Sequence, residues 1–319
     1  SESTFQHTVR TPTKTVQVTR KIPQTFSGDS SIVSTLKRPL IFIPDVLCDC
    51  EMSYNSMLHH PSFREMHTIF EVYYIDWPIF SENATDSDVD FSMEGFESDL
   101  ETVVDEILKI HWSERERSNS RFSDDDTEDV FFKNQVSLLA TGYGSYIACS
   151  YASNHSLRVW NMFLCGAVTN SSDWVEWTEM KWTIGKMRLM GMSPSVRQGF
   201  LSYLMNTEHV DNQIKSMFFD YVGSLNVRNL CAFFNAWMKR ANLHKALKQT
   251  EVRTIVFVGD YSPLFQESIE TSSSFPPAYS SLIRITNAHT LIPEENPESV
   301  IKNMKCLLQG EGYLVDDKQ

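Results

Sequence analysis

The stretch VSLLATGYGSYI, residues 136–147, decides the fold. It opens with a short apolar run of the kind found in strands that are buried on both faces of a parallel sheet. The small residues Ala140 and Gly144 then frame Gly142, and a helical pattern follows at once. Small side chains at these places let two backbone segments approach closely in a tight strand-to-helix turn. The stretch therefore predicts a turn that presents position 142 at the top of a sheet.

Similar apolar runs recur along the chain and alternate with helical patterns. They lie at residues 39–44, 72–75, 162–165, 254–258 and 282–285. Over residues 93–112, apolar side chains recur at three- and four-residue steps and make one stripe on an otherwise acidic helix. This alternation predicts an α/β fold, a doubly wound and mostly parallel sheet with right-handed crossovers. Residues 7–22 alternate and are rich in Val and Thr, which predicts a strand or hairpin with one wet face.

The chemistry of the predicted turn depends on position 142. In α/β-hydrolases this turn reads G-x-S-x-G, where the serine is the nucleophile and the next backbone N–H helps to hold the oxyanion. Gly142 has no side chain, so no acyl intermediate can form there. Tyr143 is expected to project beside the old site and plug it. Ser145 and Cys149 lie on the helix that follows, where a packing role is expected.

The other two positions of a hydrolase triad can be counted from the sequence. The acid position is the residue before the proline that follows the strand at 254–258, and here it is Ser262. Asp260 lies two residues earlier and is expected to hydrogen-bond the turn. The histidine position, seven residues before the proline of a helix-start E-x-P, is Thr290. His289 is one residue away, so it is kept as a catalytic candidate beside its more common role as a loop histidine.

The loop after the first buried strand should supply the other oxyanion donor. In a hydrolase this loop is small and glycine-rich, but here Asp45 follows the run at 39–44. A carboxylate at that place opposes the negative charge that develops in acyl transfer unless the carboxylate is protonated. Asp45, Gly142, Tyr143, Ser262 and His289 are therefore predicted to line a vestigial pocket with no catalytic triad.

The chain is predicted to divide into a core and an inserted cap. Residues 1–170 and 248–319 contain the buried strands and form the predicted core. Residues 171–247 have no obvious buried strand and are rich in Trp, Phe and Met, which predicts a helical cap. Residues 113–129 are charged and rich in serine, and they predict a flexible acidic loop within the core.

Composition excludes several classes of function. A net charge of −13 without a basic stripe argues against nucleic acid as a partner. Six scattered cysteines, with no secretory signal or membrane-length apolar run, indicate a cytoplasmic protein. His, Cys, Asp and Glu do not recur at metal-ligand spacing, and the G-x-G at position 142 lacks the third glycine of a dinucleotide site. No metal or cofactor is expected.

Several stretches, in this order along most of the chain, resemble the N-myc downstream-regulated (NDR) family. They are HTV at 7–9, YYIDWP at 73–78, TGYGSYI at 141–147, DWVEW at 173–177, NVRNLCAFFNA at 226–236, VGDYSP at 258–263 and LQGEGY at 308–313. The resemblance implies an α/β-hydrolase-like fold without hydrolase activity. It also implies links to signalling, trafficking, differentiation and stress responses.

The sequence is therefore interpreted as a non-enzymatic pseudo-hydrolase that acts by binding other proteins. One alternative is a hydrolase with a rearranged site around His289, Asp260 and Asp45, which requires two of these groups within hydrogen-bond reach. The other is a sensor of a small molecule or lipid, which requires an open apolar cavity. Self-association and peripheral membrane contact are left open by the sequence.

Overall fold

A computed structural model of the chain describes residues 3–22, 37–81, 83–84, 89–118, 134–208 and 210–313. Its strands form one sheet in the order β1-β2-β4-β3-β5-β6-β7-β8. The strands are β1 (Ser3–Arg10), β2 (Thr15–Ile22), β3 (Arg38–Ile43), β4 (Phe70–Asp76), β5 (Val136–Thr141), β6 (Val159–Cys165), β7 (Arg253–Gly259) and β8 (Ser280–Ile285). β3 to β8 pair in parallel, whereas β2 is antiparallel to both β1 and β4. The predicted α/β fold class and the N-terminal hairpin are confirmed.

Helices cover both faces of this sheet. They are α1 (Cys50–His59), α2 (Met66–Ile69), α3 (Met93–Ser118), α4 (Tyr143–Asn154), α5 (Trp174–Met190), α6 (Pro194–Leu204), α7 (Asn212–Ser224), α8 (Val227–Trp237), α9 (His244–Leu247), α10 (Phe265–Ser274), α11 (Ile292–Glu295) and α12 (Pro297–Gly310). Because successive side chains of a strand point to opposite faces, Ile41 and Ile43 of β3 pack with α3 and α4 while Leu40 and Phe42 pack with α1 and α12. The strands β3 and β5 are accordingly buried at every position, as their continuous apolar runs predict.

Two local predictions need correction. The run at 282–285 was predicted as a strand buried on both faces, but β8 is the last strand of the sheet and Leu282 is 39% exposed. Helix α3 continues to Ser118, so the first six residues of the predicted loop 113–129 are helical. Glu and Arg, which alternate at 114–117, are good helix formers, and this preference outweighs the high local charge. The remainder of that loop, from residue 119, lies outside the described residues.

The helices α5 to α9 all lie between β6 and β7 and are called the cap helices below. They occupy the stretch in which the sequence predicts a helical cap, residues 171–247. Their inward side chains Phe233 and Trp237 are almost fully buried and pack on the side of the sheet that carries α3 and α4. The division of the chain into core and cap stays a prediction, but these helices stand next to the turn after β5.

Candidate functional site

The turn at position 142 has the backbone of a nucleophile elbow. β5 ends at Thr141, α4 begins at Tyr143, and Gly142 between them has φ +50° and ψ −122°. This left-handed φ is one that side-chain-bearing residues rarely adopt, so glycine suits the place. The N–H of Gly142 donates to the carbonyl of Cys165 at 2.9 Å, which ties the turn to β6. The backbone that would carry a nucleophile is therefore present without one.

The carboxylate of Asp45 fills the space above this glycine. Asp45 lies two residues after the end of β3, its side chain is fully buried, and its backbone N–H donates to Thr141 Oγ1 at 3.1 Å. A Cβ placed on Gly142 would lie 1.8 Å from Asp45 Oδ2, far inside contact distance. The Asp45 carboxylate therefore occupies the space that a side chain at position 142 would need.

The same carboxylate takes up the donors that would stabilise an oxyanion. The N–H of Tyr143, the residue after the elbow, donates to Asp45 Oδ2 at 3.1 Å. The N–H of Leu47 donates to Asp45 Oδ1 at 2.9 Å, and the hydroxyl of Tyr203 donates to Oδ2 at 3.0 Å. Burial raises the pKa of Asp45 to about 6, although these three hydrogen bonds act to lower it. At neutral pH the donors hold a resident anion, which opposes the charge of a tetrahedral intermediate.

The remaining triad positions come together without titrating groups. Ser262 and Thr290 are both buried, and their hydroxyl oxygens lie 3.4 Å apart. Thr290 Oγ1 donates to the carbonyl of Tyr203 at 2.7 Å. The structure therefore brings together the two residues that the count from the sequence selected. Neither hydroxyl can act as a general base near neutral pH.

The imidazole of the catalytic candidate His289 contacts the backbone of α6. Its Nδ1 lies 2.9 Å from the carbonyl oxygen of Tyr203, and burial lowers its pKa. Asp260 forms an ion pair with Arg284, whose side chain is largely exposed. No hydrogen bond among the described residues joins any two of Asp45, Asp260 and His289. The convergence that a rearranged hydrolase site requires is not present.

Aromatic side chains fill the remainder of the old site. The Tyr143 ring is half-buried and packs against Trp237 with ring centres 4.6 Å apart, against Tyr203 at 5.5 Å and against Phe233 at 5.6 Å. The plug that was predicted for Tyr143 is thus a cluster shared with the cap helices. Tyr203 was missed by sequence reasoning, although it contacts Asp45, His289 and Thr290. No local pattern marks it, because these contacts depend on how α6 docks onto the sheet.

A cavity of about 450 Å³ remains between α5, α6 and the start of α10. Its wall includes Tyr143 and Phe200, together with the carboxylates of Asp173, Glu179 and Glu267. Burial raises the pKa of Glu267. The wall also includes apolar side chains such as Val168, Met180 and Leu264, so the cavity presents both apolar and charged surface.

The described residues hold few features of other kinds of site. No group of three or more His, Cys, Asp or Glu side chains among them could hold a metal ion. Within the same residues, no helix has both the length and the apolar character needed to cross a bilayer. All six cysteines are free thiols, and Cys306 is exposed.

Glu295 gives a pH-dependent prediction at the edge of this site. Its Oε2 accepts the N–H of His289 at 2.6 Å, its Oε1 accepts the N–H of Asn206 at 2.9 Å, and burial raises its pKa to about 7. The folded protein therefore binds more protons than the unfolded chain between the ordinary pKa of 4.5 and about 7, and this group takes away stability as pH rises through that window. In Glu295→Gln this loss is absent. The free energy of unfolding of the variant, relative to wild type, should rise by about 1 kcal/mol per pH unit at the steepest point.

Chemical denaturation from pH 4.5 to 7.5 measures this difference. The control is Glu251→Gln, because Glu251 is an exposed glutamate away from the site. Its stability profile should run parallel to wild type. Parallel profiles for Glu295→Gln as well would contradict the prediction.

Several named proteins are similar to this chain in sequence. The chain is 24% identical to Protein NDL1 of Arabidopsis thaliana over 183 residues, which are 56% of this chain and 53% of that protein. It is 21% identical to Protein NDRG2 of Danio rerio over 318 residues, which cover 97% of this chain and 75% of that protein. The chain spans about half the length of the first relatives that it matches, NDL1 and NDL3.

Solved structures extend the likeness to the fold. A thermophilic esterase from Thermogutta terrifontis has a TM-score of 0.69 at 15% identity, covering 96% of this chain and 98% of that one. MenH from S. aureus has a TM-score of 0.66 at 17% identity, covering 88% and 96%. At these identities the likeness shows the α/β-hydrolase fold alone. Residues 128–315, more than half of the sequence, match the model of the Ndr family, and the chain belongs to that family.

Proposed function

We propose that this chain is a non-enzymatic Ndr protein that acts by binding other proteins. The observation that carries the proposal is the Asp45 carboxylate, which occupies the nucleophile space of Gly142 and takes the backbone N–H donors of the elbow. Signalling and trafficking are the settings that the family resemblance suggests. In the cytoplasm, where we place the protein, its free thiols would stay reduced.

Ester hydrolysis needs a nucleophile, a general base and free oxyanion donors, and in this geometry each of these is missing or occupied. Gly142 offers no nucleophile, and the nearest hydroxyl on α4, Ser145, is buried and donates to the carbonyl of Gly142. Thr290 offers no base. Loss of a single oxyanion donor costs a hydrolase about 10²- to 10³-fold in rate, and here the N–H of Tyr143 is already bound to an anion. The three losses together support a protein without turnover.

The proposal is tested first by a search for turnover. Purified protein and a His289→Ala variant are incubated with a panel of ester, lipid and thioester substrates, beside an active esterase as the positive control. We expect neither protein to exceed the background rate. Turnover in wild type that disappears in His289→Ala would establish a rebuilt active site and refute the proposal.

A further inference from the structure

Helix α5 is apolar on two sides, and only one of them is buried. Ile184 and Met187 point inward and are 3% and 1% exposed. Six other large apolar side chains of the same helix are exposed, Trp177 (39%) and Met190 (55%) among them, and the four most exposed are Trp174 (77%), Val175 (63%), Trp182 (67%) and Leu189 (87%). We call these four side chains the α5 ridge. Soluble proteins rarely leave a contiguous apolar patch of this kind exposed unless it meets a partner.

The ridge has the dimensions of a helix-binding surface. At 100° per residue its four side chains fall within about 100° of arc, and at 1.5 Å per residue they extend over about 22 Å. Gly185 lies on the same arc, between Trp182 and Leu189, and a Cβ on it would meet nothing within 4 Å. This gap gives the ridge a notch that a side chain of a partner can enter.

One flank of the ridge, on the side of α8, is basic. Lys181 Nζ donates to Asn235 Oδ1 of α8 at 3.0 Å. Burial raises the pKa of the Cys231 thiol, and the neighbouring Arg188 guanidinium, which hydrogen-bonds that side chain, counteracts part of this rise.

The opposite flank, on the side of the cavity, is acidic. Asp173, Glu179 and Glu267 line the cavity there, with Lys186 as an opposing cation. The carboxylate of Glu176 is already neutralised, because Arg240 binds both of its oxygens at 2.7 and 2.8 Å. The apolar ridge therefore runs between a basic border and an acidic border.

We propose that the α5 ridge docks an amphipathic helix of a partner protein, one whose apolar face is bordered by carboxylates on one side and by Lys or Arg on the other. The inference rests on the proposed function and names the surface and the chemistry of its partner. An anionic membrane would favour cations on both borders, and the acidic border opposes it. A second copy of the chain is disfavoured because each copy has a net charge of −13.

The test uses two synthetic helical peptides of about 18 residues with the same leucine face and the same composition. In the segregated peptide, glutamates follow one border of the leucine face and lysines the other. In the mixed peptide, both borders alternate in charge. Fluorescence anisotropy of labelled peptide, at about 150 mM salt to screen distant charges, gives the Kd for each.

We expect the segregated peptide to bind at least about tenfold more tightly than the mixed one. Leu189→Glu should weaken its binding at least about tenfold. The matched control is Leu157→Glu, because Leu157 is another strongly exposed leucine, 73%, outside α5. That variant should keep the wild-type Kd, and both variants should keep the wild-type melting temperature because neither side chain is buried.

Equal affinity for the two peptides, or binding unaffected by Leu189→Glu, would overturn the inference. The inference would also be overturned if the protein bound vesicles of neutral and anionic phospholipid, or formed dimers, and Leu189→Glu abolished that binding or dimerisation. Turnover in the substrate panel would refute the proposed function whatever the peptides do. Absence of both turnover and peptide binding would refute the docking role of the ridge and would leave the proposed function standing.

Discussion

Gly142→Ser is expected to destabilise the protein by about 3 to 5 kcal/mol, the sum of backbone strain and overpacking, and to leave it without esterase activity. The φ of +50° at this position is strained for any residue with a Cβ. The new Cβ would also lie 1.8 Å from Asp45 Oδ2. The carboxylate cannot move away without losing the hydrogen bonds from Tyr143, Leu47 and Tyr203. Chemical denaturation of both proteins measures the difference.

Two further variants make this result specific. Gly199→Ser is the matched control, because a Cβ on Gly199 in α6 would meet nothing within 4 Å, and it should change stability by less than about 1 kcal/mol. The double variant Gly142→Ser/Asp45→Gly removes the collision. Its total loss should be smaller than the sum of the single losses by about 1 to 3 kcal/mol. Additive losses, or a Gly142→Ser protein as stable as wild type, would show that Asp45 does not hold the space.

Lys14→Met is expected to cost about 3 to 5 kcal/mol, the range for breaking a buried ion pair from one side. Lys14 Nζ lies 2.8 Å from Asp99 Oδ2, and both side chains are 0% exposed. The pair joins the turn before β2 to α3, and the ammonium also lies 3.8 Å from the centre of the Phe96 ring. Removal of the lysine leaves the Asp99 carboxylate buried, with only the N–H and hydroxyl of Thr13 still bound to it.

The measurement is the free energy of unfolding, with an exposed ion pair as the comparison. Arg158 and Asp105 form such a pair, with side chains 26% and 59% exposed. Arg158→Met should therefore cost less than about 1 kcal/mol. Lys14→Met/Asp99→Leu replaces both buried charges and should be more stable than Lys14→Met alone. Equal costs for Lys14→Met and Arg158→Met would contradict the prediction.

The sequence predicts the elbow well because its signals are local. A buried strand, a glycine and a helix follow one another within residues 136–147, and only a tight turn can join them. Asp45 could be placed beside Gly142 because the two residues lie within two positions of the ends of adjacent parallel strands, β3 and β5. The count back from Pro297 selected Thr290, whose hydroxyl lies 3.4 Å from that of Ser262; such counts are useful because short connections at the end of a sheet leave little freedom.

The features that sequence reasoning missed depend on contacts between distant segments. Tyr203 reaches Asp45 across 158 positions of the chain, and no pattern within α6 signals that reach. The ion pair of Lys14 with Asp99 is hidden for the same reason, since each residue alone resembles a surface charge. The solvent-facing ridge of α5 belongs to the region whose abundance of Trp, Phe and Met predicted only a helical cap. Only the docking of the helix decides which of its two apolar sides is covered.

The carboxylate at position 45 also limits which changes evolution can make one at a time. A nucleophile at this place needs a side chain at Gly142 and the removal of Asp45, and each change alone is expected to make the protein less stable. Removal of Asp45 first would leave its N–H donors without an acceptor, and a side chain at position 142 first would collide with the carboxylate. Either defect lasts until the second change is made. A chain with this aspartate therefore has no single-step route to a serine at position 142 that avoids the collision. Under the proposed function, mutations on the outer surface of the cap helices are free of any demand from catalysis.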